Sequence, residues 1–168
     1  MKKQICIVLT ICILFSCTAC AGRQQKLQVP ADFYYCTSTI TYDSPTGVIA
    51  SESRETVSFS NDLTAIINHY LEGPQSDLLY SPFPAGSSVI RLQQTGSDIS
   101  VVFNESFATL TGIKLTLACV CLAKTLFSLS ESETVTIRAR NSNLDGNRDI
   151  TLTRNNVLTV DEIAEIDP

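Results

Sequence analysis

Between Gly112 and Phe127 apolar residues occupy more than one side of what the spacing predicts to be a helix, and that arc limits the architectures open to the chain. Leu115, Ala118, Cys119, Leu122 and Leu126 form the main stripe, while Leu117, Val120 and Cys121 carry apolar surface beyond it. Lys114, Thr116, Lys124 and Thr125 are the polar remainder. A surface helix shows a single apolar stripe; one apolar over a wider arc has to be covered on several sides. The chain therefore needs a layered fold in which this helix lies across a sheet between neighbours.

The other segments supply the layers. Phe33 to Ile40 is rich in aromatic and β-branched residues and predicts a strand. Asp43-Ser44-Pro45-Thr46-Gly47 marks a turn, and Val48 to Phe59 a weaker extended piece. Ser60-Asn61-Asp62 offers helix-capping side chains. Behind them Leu63, Ile66, Ile67, Tyr70 and Leu71 recur at helical spacing on one face, with Asp62, Thr64, Asn68, His69 and Glu72 on the other. Gly73-Pro74 stops this helix. Pro82 and Pro84 bracket Phe83, so neither helix nor central strand runs through Gln75 to Gly86, which reads as a loop. Val89 to Leu92 and Ile99 to Phe103, joined through Gly96, predict a hairpin. Thr134 to Arg140 alternates as a half-buried strand, with Val135, Ile137 and Ala139 inward and Arg138 and Arg140 outward. Asn141 to Asn147 turns the chain, and Ile150 to Thr153 returns as an edge strand. The order predicts an α+β domain: two helices packed on one face of a small, mainly antiparallel β-sheet.

The first residues belong to a different device. Lys2 and Lys3 precede an apolar run from Ile5 to Phe15, and small residues follow. This is the pattern of an export signal, and the run falls short of the roughly 20 apolar residues a spanning helix needs. Cysteine at the cut resembles the lipobox of bacterial lipoproteins. Cys20, behind Thr18 and Ala19 and ahead of the polar opening Ala21-Gly22, is the expected lipidation site. Cys17, behind Leu14, Phe15 and Ser16, is the second candidate, and an ordinary cleaved signal is the alternative to both. Each buried methylene adds about 0.8 kcal/mol, so several acyl chains anchor where one does not. The reading divides the chain into a signal at 1–19, a flexible tether at 20–31, a domain at 32–155 and an acidic tail at 156–168. Its expected location is the extracytoplasmic face of the cell membrane.

Charge and chemistry narrow the function. The formal charge of −5 becomes −7 once Lys2 and Lys3 leave with the signal, and no basic stripe remains for nucleic acid. Cys36, Cys119 and Cys121 are the domain's only cysteines, too few for a disulfide framework. Cys119 and Cys121 point to nearly opposite sides of their helix and read as small buried hydrophobes; a Cys36 bridge to one of them stays open. His69 is the only histidine and sits on a polar helix face. No Gly-x-Ser-x-Gly elbow, phosphate loop or metal-ligand spacing occurs. Glu52 with Glu55, and Glu131 with Glu133, read as solvated charge in serine-rich segments. Glu105, after Phe103, suits an ordinary turn and helix cap. No catalytic residue, metal or cofactor is assigned, and an enzyme is not expected.

Several segments, in order, resemble the GerMN domain of spore-germination and sporulation lipoproteins in Gram-positive bacteria. Leu71-Glu72-Gly73-Pro74 is similar to the family's helix-ending motif, and Pro84 with Gly86 to its proline-glycine approach to the hairpin. Val101 to Phe107, Thr125-Leu126 and Val135-Thr136-Ile137 resemble the following strand, helix end and strand, so the likeness spans about Phe33 to Thr153. The resemblance implies a non-enzymatic, surface-tethered interaction or scaffold domain. Its partners would be the membrane, through the lipid anchor, and extracytoplasmic proteins or further copies of itself. A lipoprotein that binds cell wall or a solute is the rival from another class.

Cys20→Ala should abolish fatty-acid labelling and globomycin-sensitive processing. Normal labelling of that variant would remove the assignment.

Overall fold

The computed structural model describes residues 30–38, 48–55, 62–140 and 149–157. The signal at 1–19 with Cys17 and Cys20, the tether to residue 29, the turns at 43–47 and 141–147, and the tail beyond 157 lie outside the described residues.

Among the described residues, seven strands and three helices follow in the order β1 (Pro30–Thr37), β2 (Ile49–Glu55), α1 (Leu63–Leu71), β3 (Leu79–Tyr80), β4 (Val89–Thr95), β5 (Asp98–Phe103), α2 (Glu105–Ala108), α3 (Gly112–Leu129), β6 (Thr134–Ala139) and β7 (Ile150–Thr153). The class is α+β, as expected, but the strands form two sheets instead of one: β2-β1-β3 and β4-β5-β6-β7. Every pairing is antiparallel except β5 with β6, which run parallel because α2 and α3 intervene.

What separates the sheets is the way β1 closes its second side. β2 takes one side along the whole strand, whereas β3 reaches only Cys36 and Thr37. Along the remainder α3 supplies hydroxyl groups. The Tyr34 N–H donates to Thr125 Oγ1 at 3.0 Å, and the Asp32 carbonyl accepts from Ser128 Oγ at 2.6 Å. The Tyr34 carbonyl accepts from Tyr70 Oη at 2.5 Å. An unpaired edge recruits another strand unless something covers it, and here a helix does. Thr125, expected on the polar side of its helix, is therefore fully buried.

The wide apolar arc of α3 has the predicted cause. Ala118 through Ala123, with Thr125, Leu126 and Phe127, are all buried, and the helix packs on β1 as well as on β6 and β7. Gly112–Leu129 is long and apolar enough to cross a membrane, at a mean hydropathy of 1.6, yet half of it is buried inside the protein. The polar link after it is held by Arg154, whose guanidinium donates to the carbonyls of Phe127, Ser130 and Ser132. A cation at a helix C-terminus satisfies carbonyls that have no partner in the helix.

Two boundaries differ from expectation. β1 includes Pro30 and Ala31, which the expected tether covered; proline is tolerated as a strand's first residue, where no ladder N–H is needed. The loop at 75–86 contains β3, a strand of two residues, too short to leave a periodic signal. The hairpin, the helix spans and the edge strand β7 otherwise fall as read. Asp62 caps α1 by accepting from the Thr64 N–H at 2.9 Å.

Aromatic rings join the two sheets. Tyr70 lies 4.8 Å from Tyr35 and 5.3 Å from Phe83; Phe83 lies 6.5 Å from Phe103, which stacks on Phe107 at 4.4 Å. Phe83 thus bridges β1 and α1 to β5 and α2 from a loop. Phe83→Ala should cost about 3–5 kcal/mol in urea unfolding, whereas Leu78→Ala, at a 71% exposed position, should stay within about 0.5 kcal/mol.

Candidate functional site

The helix-ending segment Leu71-Glu72-Gly73-Pro74 is built around a buried arginine. Gly73 has φ 116°, a conformation that side-chain-bearing residues rarely adopt, so glycine is needed where the chain leaves α1. Its carbonyl accepts from Arg54 Nη2 at 2.7 Å and faces Tyr35 Oη at 3.1 Å. Tyr35 Oη also reaches the Tyr70 carbonyl at 2.9 Å and accepts from Arg54 Nη2 at 3.0 Å. The guanidinium lies over the Phe33 and Tyr35 rings, 5.1 and 5.5 Å from their centroids. Leu71 packs against the core, while Glu72 is exposed, with an oxygen 2.8 Å from His69 Nδ1.

Glu52 completes this network and corrects the reading of it as solvated charge. It pairs with Arg54, and its oxygens accept from the Gln75 N–H at 3.0 and 3.1 Å and from the Ser76 N–H at 3.1 Å. Its side chain is only 13% exposed. Burial alone would raise its pKa; the two N–H donors and the guanidinium outweigh that and hold the carboxyl below the usual glutamate range. Burial dominates at Tyr35 and Tyr70, whose hydroxyls are pushed well above the ordinary tyrosine value.

On the far side of the aromatic chain the loop builds a cleft. Pro84 and Gly86 shape its approach: the Ser87 N–H donates to the Pro84 carbonyl at 3.1 Å, and Gly86 takes φ 80° within that turn. Asn104 pins it, donating to the Gly86 carbonyl at 2.7 Å and accepting from the Ser88 N–H at 3.2 Å. The cleft holds about 510 Å³ between Tyr80–Pro84 and Thr109–Leu117. Cys36 also lines it. Tyr80, 47% exposed, is an apolar side chain of the lining, and exposed Leu78 and Ile113 lie close in sequence to the lining residues Tyr80 and Lys114.

Other sequence candidates are scattered. His69 is half exposed on α1. Glu105 is exposed in the first turn of α2, and Glu131 and Glu133 are exposed beyond α3. No three His, Cys, Asp or Glu side chains converge among the described residues. Arg54 went unnoticed in the sequence, where it sits in a weak strand among serines; its only signal was a charge at a position facing aromatic residues across a strand pair.

Two small sheets, a core helix shared between them and a glycine-ended helix joined to the loop make a fold similar to that of solved GerMN domains. The first GerMN domain of the sporulation protein GerM from Bacillus subtilis matches with a TM-score of 0.54 at 15% identity, over 76% of this chain and 98% of that one. The tandem GerMN domains of the same protein match with a TM-score of 0.53 at 18% identity, over 73% of this chain and 44% of that one. The chain thus spans less than half of the tandem structure. No protein-family model matches the sequence, and no curated protein does.

Arg54→Met should destabilise the domain by about 3 kcal/mol, because Glu52, the Gly73 carbonyl and the Tyr35 hydroxyl lose a donor. A carboxyl held low in the folded state stabilises fully above its unfolded pKa of about 4.3, and that contribution drains away as pH falls through the folded value. The stability gap between wild type and Glu52→Gln should therefore narrow as pH falls below about 4.3 in denaturant titrations.

Proposed function

We propose that the chain is a membrane-anchored extracytoplasmic lipoprotein whose GerMN-fold domain is a non-enzymatic protein–protein interaction or scaffold module of sporulation or spore germination. The observation that carries this reading is the match over 98% of a sporulation protein's first GerMN domain. The lipobox-like Cys20 supports the anchor and the outer location. Exposed Tyr80 on the cleft, with exposed Leu78 and Ile113 close in sequence to its lining segments, supports the contact role, since exposed apolar surface marks interaction sites.

The cleft itself favours the second reading, a lipoprotein that takes a cell-wall fragment or small solute. Tyr80 and Phe83 offer ring surface there and Ser81, Thr109 and Thr111 offer hydroxyls. Sedimentation and a pull-down on purified peptidoglycan separate the two. Concentration-dependent self-association without retention is the expected result; retention with no self-association would favour the rival. Ile113→Asp should leave folding intact and weaken the association roughly ten-fold.

A further inference from the structure

We propose that Cys36 and Cys121 form a dithiol/disulfide pair that covalently fastens α3 to β1 at the floor of the cleft. The two cysteines come together through a repeating register. Alternate residues of β1 meet successive turns of α3: Asp32 with Ser128, Tyr34 with Thr125, and then Cys36 with Cys121. Both cysteines are fully buried, both carry free thiols, and the thiols hydrogen-bond each other. The helix packs closely along this strand, so the approach of the two sulfurs is built into the core.

The pair is chemically asymmetric. Cys121 donates its S–H to the Cys36 sulfur, which lowers the pKa of Cys36 and raises that of Cys121; the Tyr80 hydroxyl bonds Cys36 as well. Cys119, two residues along on another side of α3, has its thiol pushed up to about 12 by burial and is not part of the contact. Cys36 lies at the cleft's lining beside half-exposed Tyr80 and Cys121 does not, so when the buried floor opens Cys36 is the sulfur a reagent meets first.

The oxidant is a low-molecular-weight disulfide. The Cys36 thiolate attacks one of its sulfurs and expels a thiolate, forming a mixed disulfide. Cys121 then gives up its proton and attacks the Cys36 sulfur, expelling the second thiolate. Two protein S–H bonds are lost, one S–S bond forms, and the two electrons leave on two small thiols. The loop so closed runs from residue 36 to residue 121, and long loops gain most from closure.

The full chain is incubated with glutathione disulfide, alkylated after denaturation and digested with trypsin without reduction. Cleavage after Lys26 and Arg54 isolates Cys36, and cleavage after Lys114 and Lys124 isolates Cys119 with Cys121. The expected result is a linked pair of these peptides in wild type and in Cys119→Ala, growing with oxidant and absent from Cys121→Ala. The oxidised Cys119→Ala protein should melt several degrees higher than its reduced form. Full alkylation of Cys36 and Cys121, or loss of the link in Cys119→Ala, would overturn the pairing. The maps of wild type and Cys119→Ala decide this even where Cys121→Ala fails to fold.

Discussion

Tyr70 is the joint on which the architecture turns. It is fully buried at the last turn of α1, donates its hydroxyl to the Tyr34 carbonyl, and touches Phe33, Tyr35 and Phe83 with its ring. A buried tyrosine needs both an apolar bed and a partner for its hydroxyl, and only the exposed side of β1 provides both. Meeting that requirement aligns α1 with the first sheet. Phe83 then carries the contact across to Phe103 and Phe107 in the second.

Much of the remaining order is satisfaction of backbone groups away from water. β1 lacks a full strand on one side, and the deficit is met by Thr125, Ser128 and Tyr70. The carbonyl of Gly73 is met by Arg54, and the carbonyls at the end of α3 by Arg154. Leaving such a group unpaired costs more than a made hydrogen bond returns. Side chains of distant segments are thereby fixed by local backbone demands, which explains why charged and hydroxyl residues sit within an apolar core.

The cleft is a consequence of the same arrangement. Phe83 is drawn inward between the sheets, so the prolines on either side of it stand up as one wall, and the exposed start of α3 forms the other. The proposed Cys36–Cys121 pair would join the cleft's floor to the core helix.

Local pattern sufficed for the elements whose signal lies within one turn or one alternation. Leu63 to Leu71 with its Gly73 stop, the Gly96 hairpin, and the alternating β6 each follow from spacing and from residues suited to turns. The arc of α3 also announced its burial. Spacing carried no information on which groups meet across 90 or so residues, as Tyr34 and Thr125 do. Glu52 looked solvated because its neighbours are serines; Arg54, Gln75 and Ser76 reach it only after folding. The division into two sheets, the two-residue β3 and the meeting of Cys36 with Cys121 were likewise decided by tertiary structure. Each depends on how β1 fills its open side, and that is settled by packing between segments rather than by any segment's own preference.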